Sequence, residues 1–257
     1  MSKIRQLHYD SDSKIDEAIE FIKKYEPSEG YFLGFSGGKD SVVLYDLAKR
    51  SGVKFFPFYS ATGIDPPEVV KFIKENYSDV VFKHPKKSFF AAIQDRGFPV
   101  RLGRWCCDFL KKDPTKNVPL KMRLMGIRAE ESRMRAARER VDFFKNYKLN
   151  IYKPIFNWLE WEIWDYIETE KLPYCSLYDE GFDRIGCVVC PFLCHGKNKG
   201  KLKMHMERWP GMYKAFEHSM KRKFDDWSCV RNPRSGALNF RREWDFETFM
   251  NNWYDGI

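Results

Sequence analysis

The sequence predicts an α/β fold in which a doubly wound parallel sheet is covered by helices and followed by a C-terminal, cysteine-containing helical cap. Apolar segments of strand length alternate with amphipathic segments of helical length through the first half of the chain. The run Phe32–Ser41 joins a buried strand to a helix through two adjacent glycines. The alternation ends after Pro154, where the pattern becomes helical and loop-rich. We therefore expect a core over residues 1–155 and a cap over 156–257.

The core elements follow one another with short connections. A first amphipathic helix is predicted over Lys14–Tyr25, and it ends just before Pro27. The first buried strand is predicted over Gly30–Phe35. The next elements alternate between helix and strand: Ser41–Arg50, Val53–Tyr59, Pro66–Tyr77, Val80–Phe82, Phe89–Gln94 and Lys121–Ile127. In such a sheet ligands bind at the carboxyl ends of the strands, which makes the turn after the first strand the expected site.

The cap has a different pattern. Trp158–Glu170 is predicted to be helical, and Leu172–Gly186 is rich in loop residues. One long charged helix is predicted over Lys201–Lys223, with an interruption at Pro210. The tail Trp227–Gly256 is polar with spaced aromatic residues. We expect this part of the chain to pack on the core.

Charge and cysteine content narrow the functional classes. The net charge is +9, and the positive residues concentrate in Arg133–Arg140 and Lys197–Lys203, which suits a nucleic acid or a small anionic nucleotide. No stretch approaches the ~20 consecutive apolar residues of a membrane span, and the charged N-terminus leads into no apolar signal core. We expect a cytoplasmic protein without a membrane partner. Seven cysteines, mostly clustered, favour a metal or redox role over a disulfide framework.

The turn after the first strand is suited to binding phosphate. Gly37 and Gly38 permit positive φ and close backbone approach, so successive N–H groups can point into one concavity at the start of a helix. Lys39 adds a cationic point charge, and Ser36 and Ser41 add hydroxyl donors. The Gly-x4-Gly-Lys-Ser/Thr spacing that grips β- and γ-phosphates is absent. An ordinary glycine-rich turn is the alternative interpretation.

Two cysteine pairs from distant segments form a second candidate site. Cys106 and Cys107 are adjacent, and Cys187 and Cys190 have the C-x2-C spacing at which two thiolates reach one metal. Two further cysteines are candidate ligands: Cys175 and Cys194. Four thiolates accept either tetrahedral zinc or a [4Fe–4S] cluster, so the residues alone leave the metal open. Buried structural cysteines are the alternative.

These motifs resemble known families. The run Ser36–Ser41 resembles the SGGxDS PP-loop of the ATP pyrophosphatase superfamily, which has the adenine nucleotide α-hydrolase-like (HUP-type) fold, acts at the α-phosphate and releases pyrophosphate. Further segments resemble the phosphoadenosine phosphosulfate (PAPS) reductase family, from about residue 30 to 195: Arg104–Pro114, Gly126–Arg133, Lys153–Ile155, Trp161–Tyr166, Leu172–Tyr178 and Ile185–Cys190.

The resemblance implies a set of metal ligands. The CC…CxxC pattern of reductases that use adenylyl sulfate implies a [4Fe–4S] cluster held by four residues: Cys106, Cys107, Cys187 and Cys190. A similar cluster with a different cysteine set occurs in the related ATP pyrophosphatases of bacterial DNA phosphorothioation systems. On that analogy Cys175 or Cys194 would replace Cys106.

The chain departs from the reductase pattern in two places. Reductases carry a catalytic cysteine in a C-terminal Glu-Cys-Gly-Leu-His-like segment, whereas here no cysteine follows Cys229, which lacks that surrounding sequence. After the second strand, the reductases' Asp-Thr-Gly reads Ala61-Thr62-Gly63. The resemblance assigns nucleotide binding to this threonine and glycine. Asp65 and Glu68 are nearby candidate ligands for Mg²⁺ or ribose, although acidic residues also favour a helix start on electrostatic grounds.

The leading prediction is an ATP pyrophosphatase that acts on Mg·ATP. The loop glycine amides and Lys39 would stabilise the departing pyrophosphate. Asp40 would be a structural or Mg²⁺-associated carboxylate, and Arg128 and Arg133 would clamp phosphate or substrate. Surface ion pairing is the alternative for both arginines.

The expected acceptor is a DNA backbone or another nucleic acid, guided by Arg133–Arg140 and thiolated with sulfur from a cysteine desulfurase partner. Two other functions stay open. The first is a sulfonucleotide reductase that forms sulfite from adenylyl sulfate or PAPS, with Cys229 or Cys194 as nucleophile. The second is a non-enzymatic nucleotide- or nucleic-acid-binding subunit with structural zinc.

Overall fold

The computed structural model describes residues 3–194, 198–229 and 244–256, and the chain divides into two units. The first, here called the sheet unit, consists of Met1–Tyr59, Pro67–Lys83 and Thr115–Ile185. The second, here called the cysteine unit, consists of Ser60–Pro66, His84–Pro114 and Gly186–Ile257. Each unit combines separate stretches of the sequence. The boundary expected at residue 155 stays a prediction.

Among the described residues, six strands form one sheet: β1 (Tyr31–Gly34), β2 (Phe55–Ser60), β3 (Val81–Lys83), β4 (Met122–Met125), β5 (Val141–Phe144) and β6 (Leu149–Tyr152). Their order across the sheet is β3-β2-β1-β4-β6-β5. β1 pairs in parallel with β2 and β4, and β4 pairs in parallel with β6. The chain crosses from one side of β1 to the other between β3 and β4, which confirms the predicted doubly wound α/β fold.

The outer hairpin departs from the predicted all-parallel sheet, because β5 pairs antiparallel with β6. β5 exposes Phe143 and Phe144, and β6 buries only its end residues Leu149 and Tyr152. Neither strand therefore has the continuous apolar run that marks a buried parallel strand in a sequence. An antiparallel pair also needs only a short turn, so no crossover helix signals it.

In chain order, the described residues form these α-helices: α1 (Lys3–Lys24), α2 (Lys39–Ser51), α3 (Pro67–Asn76), α4 (Phe89–Arg96), α5 (Trp105–Cys107), α6 (Arg133–Ala136), α7 (Glu160–Thr169), α8 (Lys199–Arg208), α9 (Pro210–Cys229) and α10 (Phe246–Asp255). α2 follows the glycine-rich loop, and it buries Val43, Leu44 and Leu47 completely. Gly52 ends α2 in the left-handed region, with φ 73°. None of the helices in the described ranges has the length and apolar character needed to cross a membrane.

The helices of the cysteine unit differ from the predicted cap in two respects. The single helix predicted over Lys201–Lys223 is two helices, because the backbone leaves the helical region at Trp209 and Pro210 begins α9. The tail contains α10, which the Asp245 carboxylate caps by accepting the N–H of Thr248 at 2.8 Å. Phe249 and Trp253 lie on the buried face of this helix with Met250, so their spacing was a helical signal.

Candidate functional site

The loop Ser36–Ser41 lies at the carboxyl end of β1, in the sheet unit. Gly37 has φ 72°, and a Cβ atom at this position would lie 2.8 Å from Val69 Cγ1 and 3.0 Å from Ile73 Cδ1. Only glycine fits both the backbone conformation and the space. The loop N–H of Gly37 has no acceptor among the described residues. At the start of α2, such a group is one that a phosphate oxygen would satisfy.

The two serines brace the loop. Ser41 Oγ accepts the N–H of Ser36 at 3.1 Å and donates to the carbonyl of Gly38 at 2.7 Å. The hydroxyl of Ser36 lies 3.2 Å from Ser41 Oγ and accepts the N–H of Gly38 at 3.3 Å. The sequence predicted both hydroxyls as donors to phosphate. In the structure their bonds are made within the loop, so they fix its shape.

Lys39 is buried, and its contacts are with residues more than a hundred positions later in the sequence. Its backbone N–H donates to the hydroxyl of Tyr178 at 2.9 Å. Its ammonium donates to the carbonyl of Asp183 at 2.9 Å and lies 3.3 Å from Glu160 Oε1. The same ammonium lies 5.3 Å from the ring centroid of Tyr178 and 5.9 Å from that of Trp164. The structure thus surrounds this lysine with protein groups. Its contact with phosphate stays a prediction.

The buried Arg128 and the partly buried Asp40 form an ion pair beside the loop. Arg128 Nε lies 2.5 Å from Asp40 Oδ1, and Arg128 Nη1 lies 2.6 Å from Glu130 Oε2. Burial alone would lower the pKa of Arg128, but the two carboxylates outweigh it and raise that pKa. Gly126, at the end of β4, brings the chain so close to α2 that a Cβ there would lie 2.8 Å from the carbonyl oxygen of Asp40.

Further arginines are candidates for binding phosphate. Burial lowers the pKa of Arg135, and the nearby Arg184 and Arg128 lower it further. Asp40 counteracts this effect, so Arg135 also lies close to the start of α2. Arg133 and Arg184 are exposed and have no carboxylate partner among the described residues. Arg133 was predicted from the sequence; Arg135 was predicted only as part of a basic run, and Arg184 and Tyr178 carried no signal of their own.

The cysteine unit brings the two predicted cysteine pairs together: Cys106, Cys107, Cys187 and Cys190, here called the four thiols. A hydrogen bond from Cys106 to Cys107 raises the pKa of Cys106 and lowers that of Cys107 to about 6. Burial raises the pKa of Cys187, and it raises that of Cys190 to about 11, with Cys187 adding to the effect. The pKa of Lys111 is raised; Cys187 has the largest effect on it, and Asp65 adds a smaller one. Thiol groups with these mutual effects share one small region.

Thr62 and Gly63 belong to the same unit as the four thiols. Cys187 Sγ lies 3.9 Å from Thr62 Oγ1, and the N–H of Val188 donates to the carbonyl of Ile64 at 2.8 Å. The N–H of Thr62 donates to Asp65 Oδ2 at 2.7 Å, which closes the turn. Gly63 has φ 76° and open space around it. The structure therefore places this turn against the CxxC segment. Glu68 lies in the first turn of α3, in the sheet unit.

The remaining cysteines lie in different places. Cys175 is buried in the sheet unit, and Cys194 is buried in the cysteine unit. The side chain of Cys229 lies outside the described residues. Within the described part of the chain, no three Cys, His, Asp or Glu side chains are arranged to hold a metal ion. The choice among the predicted ligands stays a prediction.

Known proteins resemble this chain along most of its length. The profile of the phosphoadenosine phosphosulfate reductase domain matches residues 30–193. An uncharacterized protein of Methanocaldococcus jannaschii is 32% identical over 215 residues, which are 77% of this chain and 45% of that protein. An adenosine 5'-phosphosulfate reductase of Shouchella clausii is 29% identical over 166 residues, or 60% of this chain and 68% of that enzyme.

A solved structure shows the same fold. The phosphoadenylyl-sulfate reductase of Candida auris superposes with a TM-score of 0.54 at 18% identity, covering 67% of this chain and 87% of that one. The chain spans less than half the length of the Methanocaldococcus relative.

Proposed function

The chain belongs to the phosphoadenosine phosphosulfate reductase domain family, and on that premise we propose that it binds ATP at the loop Ser36–Ser41 and releases pyrophosphate. The observation that carries this proposal is the loop itself. It combines a left-handed Gly37, an N–H without an acceptor among the described residues and the start of α2. These features favour an anion by hydrogen bonding and by the helix dipole.

The charges around the loop support different roles for its arginines. Arg128 is neutralised by two carboxylates, Asp40 and Glu130, so its guanidinium holds the loop to the end of β4. We assign it a positioning role. Arg133 and Arg184 have no carboxylate partner among the described residues, which leaves their positive charge available to phosphate. Lys39 would contribute its charge from beneath the loop, held by Asp183 and Glu160.

Asp40 also fits the magnesium ion that a nucleotide triphosphate brings. Oδ1 of this carboxylate binds Arg128, whereas Oδ2 has no partner within the described ranges. A carboxylate oxygen beside the phosphates is a usual Mg²⁺ ligand. When bound, Mg²⁺ would neutralise charge that develops on the departing pyrophosphate.

The four thiols fit a thiolate-bound metal by the chemistry of their donor set. Cys106, Cys107, Cys187 and Cys190 influence one another's ionisation, and Lys111 adds a positive charge beside them. We propose that they hold a [4Fe–4S] cluster, with zinc as the alternative. When bound, the metal would cross-link the segment around α5 to the CxxC segment. The nucleotide chemistry proposed above uses none of these residues.

We further propose that ATP activates an acceptor for sulfur transfer, with a nucleic acid as acceptor and a cysteine desulfurase as sulfur-supplying partner. The exposed Arg133 and Arg184, which have no carboxylate partner among the described residues, support a polyanionic acceptor. Transfer of AMP to an acceptor oxygen would make that oxygen a leaving group, which a sulfur nucleophile can displace.

A second candidate function is reduction of a sulfonucleotide. The relative from Shouchella clausii is named an adenosine 5'-phosphosulfate reductase, and the alignment covers 68% of it. Such a reaction needs an accessible nucleophilic thiol. Cys194 is buried, which disfavours it as that nucleophile.

One assay separates the two functions. Anaerobically purified protein is incubated with Mg·ATP, and AMP and pyrophosphate are measured; parallel reactions contain adenylyl sulfate or PAPS with a thiol reductant, and sulfite is measured. We expect pyrophosphate from ATP and no sulfite. Sulfite without pyrophosphate would replace the proposal with the reductase. If neither product forms, the result would favour a non-enzymatic binding subunit.

A further inference from the structure

The outer edge of the sheet carries exposed aromatic side chains in a basic surrounding. Phe143 is 58% exposed, and Phe144 and Tyr147 are each 37% exposed. The first two lie on β5, the outermost strand, and Tyr147 lies in the turn that leads to β6. We call these three residues the edge aromatics. Three large aromatic rings exposed within five residues of a sheet edge favour an interaction surface there.

The cations around the edge aromatics exceed the carboxylates. Between residues 133 and 148 lie six cations and two carboxylates: Arg133, Arg135, Arg138, Arg140, Lys145 and Lys148 against Glu139 and Asp142. Asp142 is already bound, at 2.6 Å by Lys153 and at 3.6 Å by Arg138. Carboxylates outside this stretch pair with two more of the cations, Glu131 with Arg135 and Glu17 with Arg140. Three cations have no carboxylate partner among the described residues: Arg133, Lys145 and Lys148. The positive charge of these three residues favours an anionic partner.

Arg138 and Lys148 each show a local feature of this surface. The guanidinium of Arg138 lies 5.8 Å from the ring centroid of Phe144, so charge and ring present one combined surface. Lys148 has φ 49°, in the left-handed region that favours glycine. The chain therefore keeps a long cationic side chain at a turn position where glycine would cost less.

The edge reaches the end of the sheet that carries the nucleotide loop. β5 runs antiparallel to β6, so its first residue, Val141, lies at the carboxyl end of the parallel strands, where the loop also lies. α6 precedes β5 directly, and its Arg135 is close enough to Asp40 for the two to interact electrostatically. A polyanion along this edge would therefore lead toward the loop.

We infer that the edge aromatics and their neighbouring cations form a binding surface for single-stranded nucleic acid. Aromatic rings stack on unpaired bases, and lysine and arginine contact the phosphates. Adjacent strand residues point to opposite faces, so a flexible strand that crosses the sheet edge could stack bases on both Phe143 and Phe144. A duplex hides the faces of its bases. The inference deepens the proposed function by specifying the acceptor, although binding itself requires no ATP chemistry.

The test is binding of a fluorescein-labelled 20-nucleotide single strand, as DNA and as RNA, measured by fluorescence anisotropy without ATP. The variant Phe143→Ala/Phe144→Ala/Tyr147→Ala should weaken binding by at least about tenfold, because each lost ring removes a stacking contact. The matched control is Phe56→Ala, which removes a ring that is 39% exposed on β2 of the same sheet. This control should bind like the wild type. The single variant Phe143→Ala, at the most exposed ring, should weaken binding in the same direction.

A second variant tests the charges. Lys145→Gln/Lys148→Gln should lower the slope of log Kd against log salt by about two, because two phosphate contacts are lost. Lys71→Gln, an exposed lysine on α3, should leave the slope unchanged.

Three results would overturn the inference: equal binding by the triple variant and the wild type, binding of a 20-base-pair duplex as tight as that of the single strand, or a dimer in solution that the triple variant dissociates. Strand binding with no pyrophosphate from ATP would refute the proposed function and leave this inference standing.

Discussion

The loop Ser36–Ser41 and the four thiols differ in how far neighbouring protein groups supply their hydrogen bonds and stabilise their charges. In the loop, Ser36 and Ser41 bond each other and the backbone, Tyr178 accepts the N–H of Lys39, and Arg128 binds Asp40. In the cysteine unit, burial and neighbouring thiols oppose ionisation and raise the pKa values of most of the four thiols. The loop is therefore shaped by its own protein contacts, whereas the thiols would gain most from a bound cation.

The largest expected effect concerns the metal. Cys187→Ser/Cys190→Ser should lose nearly all the metal bound by anaerobically purified protein, because two of the four thiolates are removed. The matched control is Cys175→Ser, a buried cysteine of the sheet unit, which should keep it. Iron, zinc and acid-labile sulfide are measured on each protein. Loss in the control and retention in the double variant would reverse the assigned ligands.

A smaller effect is expected at the ion pair beside the loop. Arg128→Ala should lower the free energy of unfolding by about 2–4 kcal/mol, because it leaves the partly buried carboxylate of Asp40 without its partner. Lys87→Ala removes the surface pair between Lys87 and Asp95 and should cost much less, because both side chains are exposed to solvent. Urea denaturation measures both variants. Equal losses would show that the pair at the loop has no special structural role.

The smallest effect is expected from a single hydroxyl. Tyr178→Phe removes the acceptor of the Lys39 N–H and should destabilise the protein by about 1 kcal/mol. Tyr174→Phe removes an exposed hydroxyl bonded to Asp179, and its effect should stay within about 0.5 kcal/mol. Thermal unfolding of the two variants gives the comparison. A larger loss in Tyr174→Phe would mean that Tyr178 does not brace the loop.

The sequence predicted the elements that depend on residues close together in the chain. The strand before the loop, the helix after it and the glycines between them follow one another directly, so their arrangement could be derived from periodicity and turn chemistry. The hairpin of β5 and β6 was missed because its strands are partly exposed and lack a continuous apolar run. α10 was missed because its aromatic spacing was interpreted as a polar tail.

The candidate site was predictable to a smaller extent. Tyr178, Asp183 and Glu160 reach Lys39 only through the tertiary fold, and no local pattern joins positions so far apart. The sequence also could not show that Ser36 and Ser41 bond within the loop, because a hydroxyl has the same pattern whether it binds protein or ligand. The cysteine pairs were found because their spacing is itself a chemical signal.

The most direct test of the account compares three proteins in one assay: the wild type, Gly37→Ala and Gly52→Ala. Both glycines have left-handed φ values, 72° and 73°, but a Cβ at Gly37 meets Val69 and Ile73, whereas a Cβ at Gly52 meets nothing within 4 Å. Pyrophosphate released from Mg·ATP is measured. The account predicts release by the wild type and Gly52→Ala, and release at least about 100-fold slower by Gly37→Ala, because the loop amides are displaced. Equal release by Gly37→Ala and Gly52→Ala would contradict the claim that this loop binds the nucleotide phosphates.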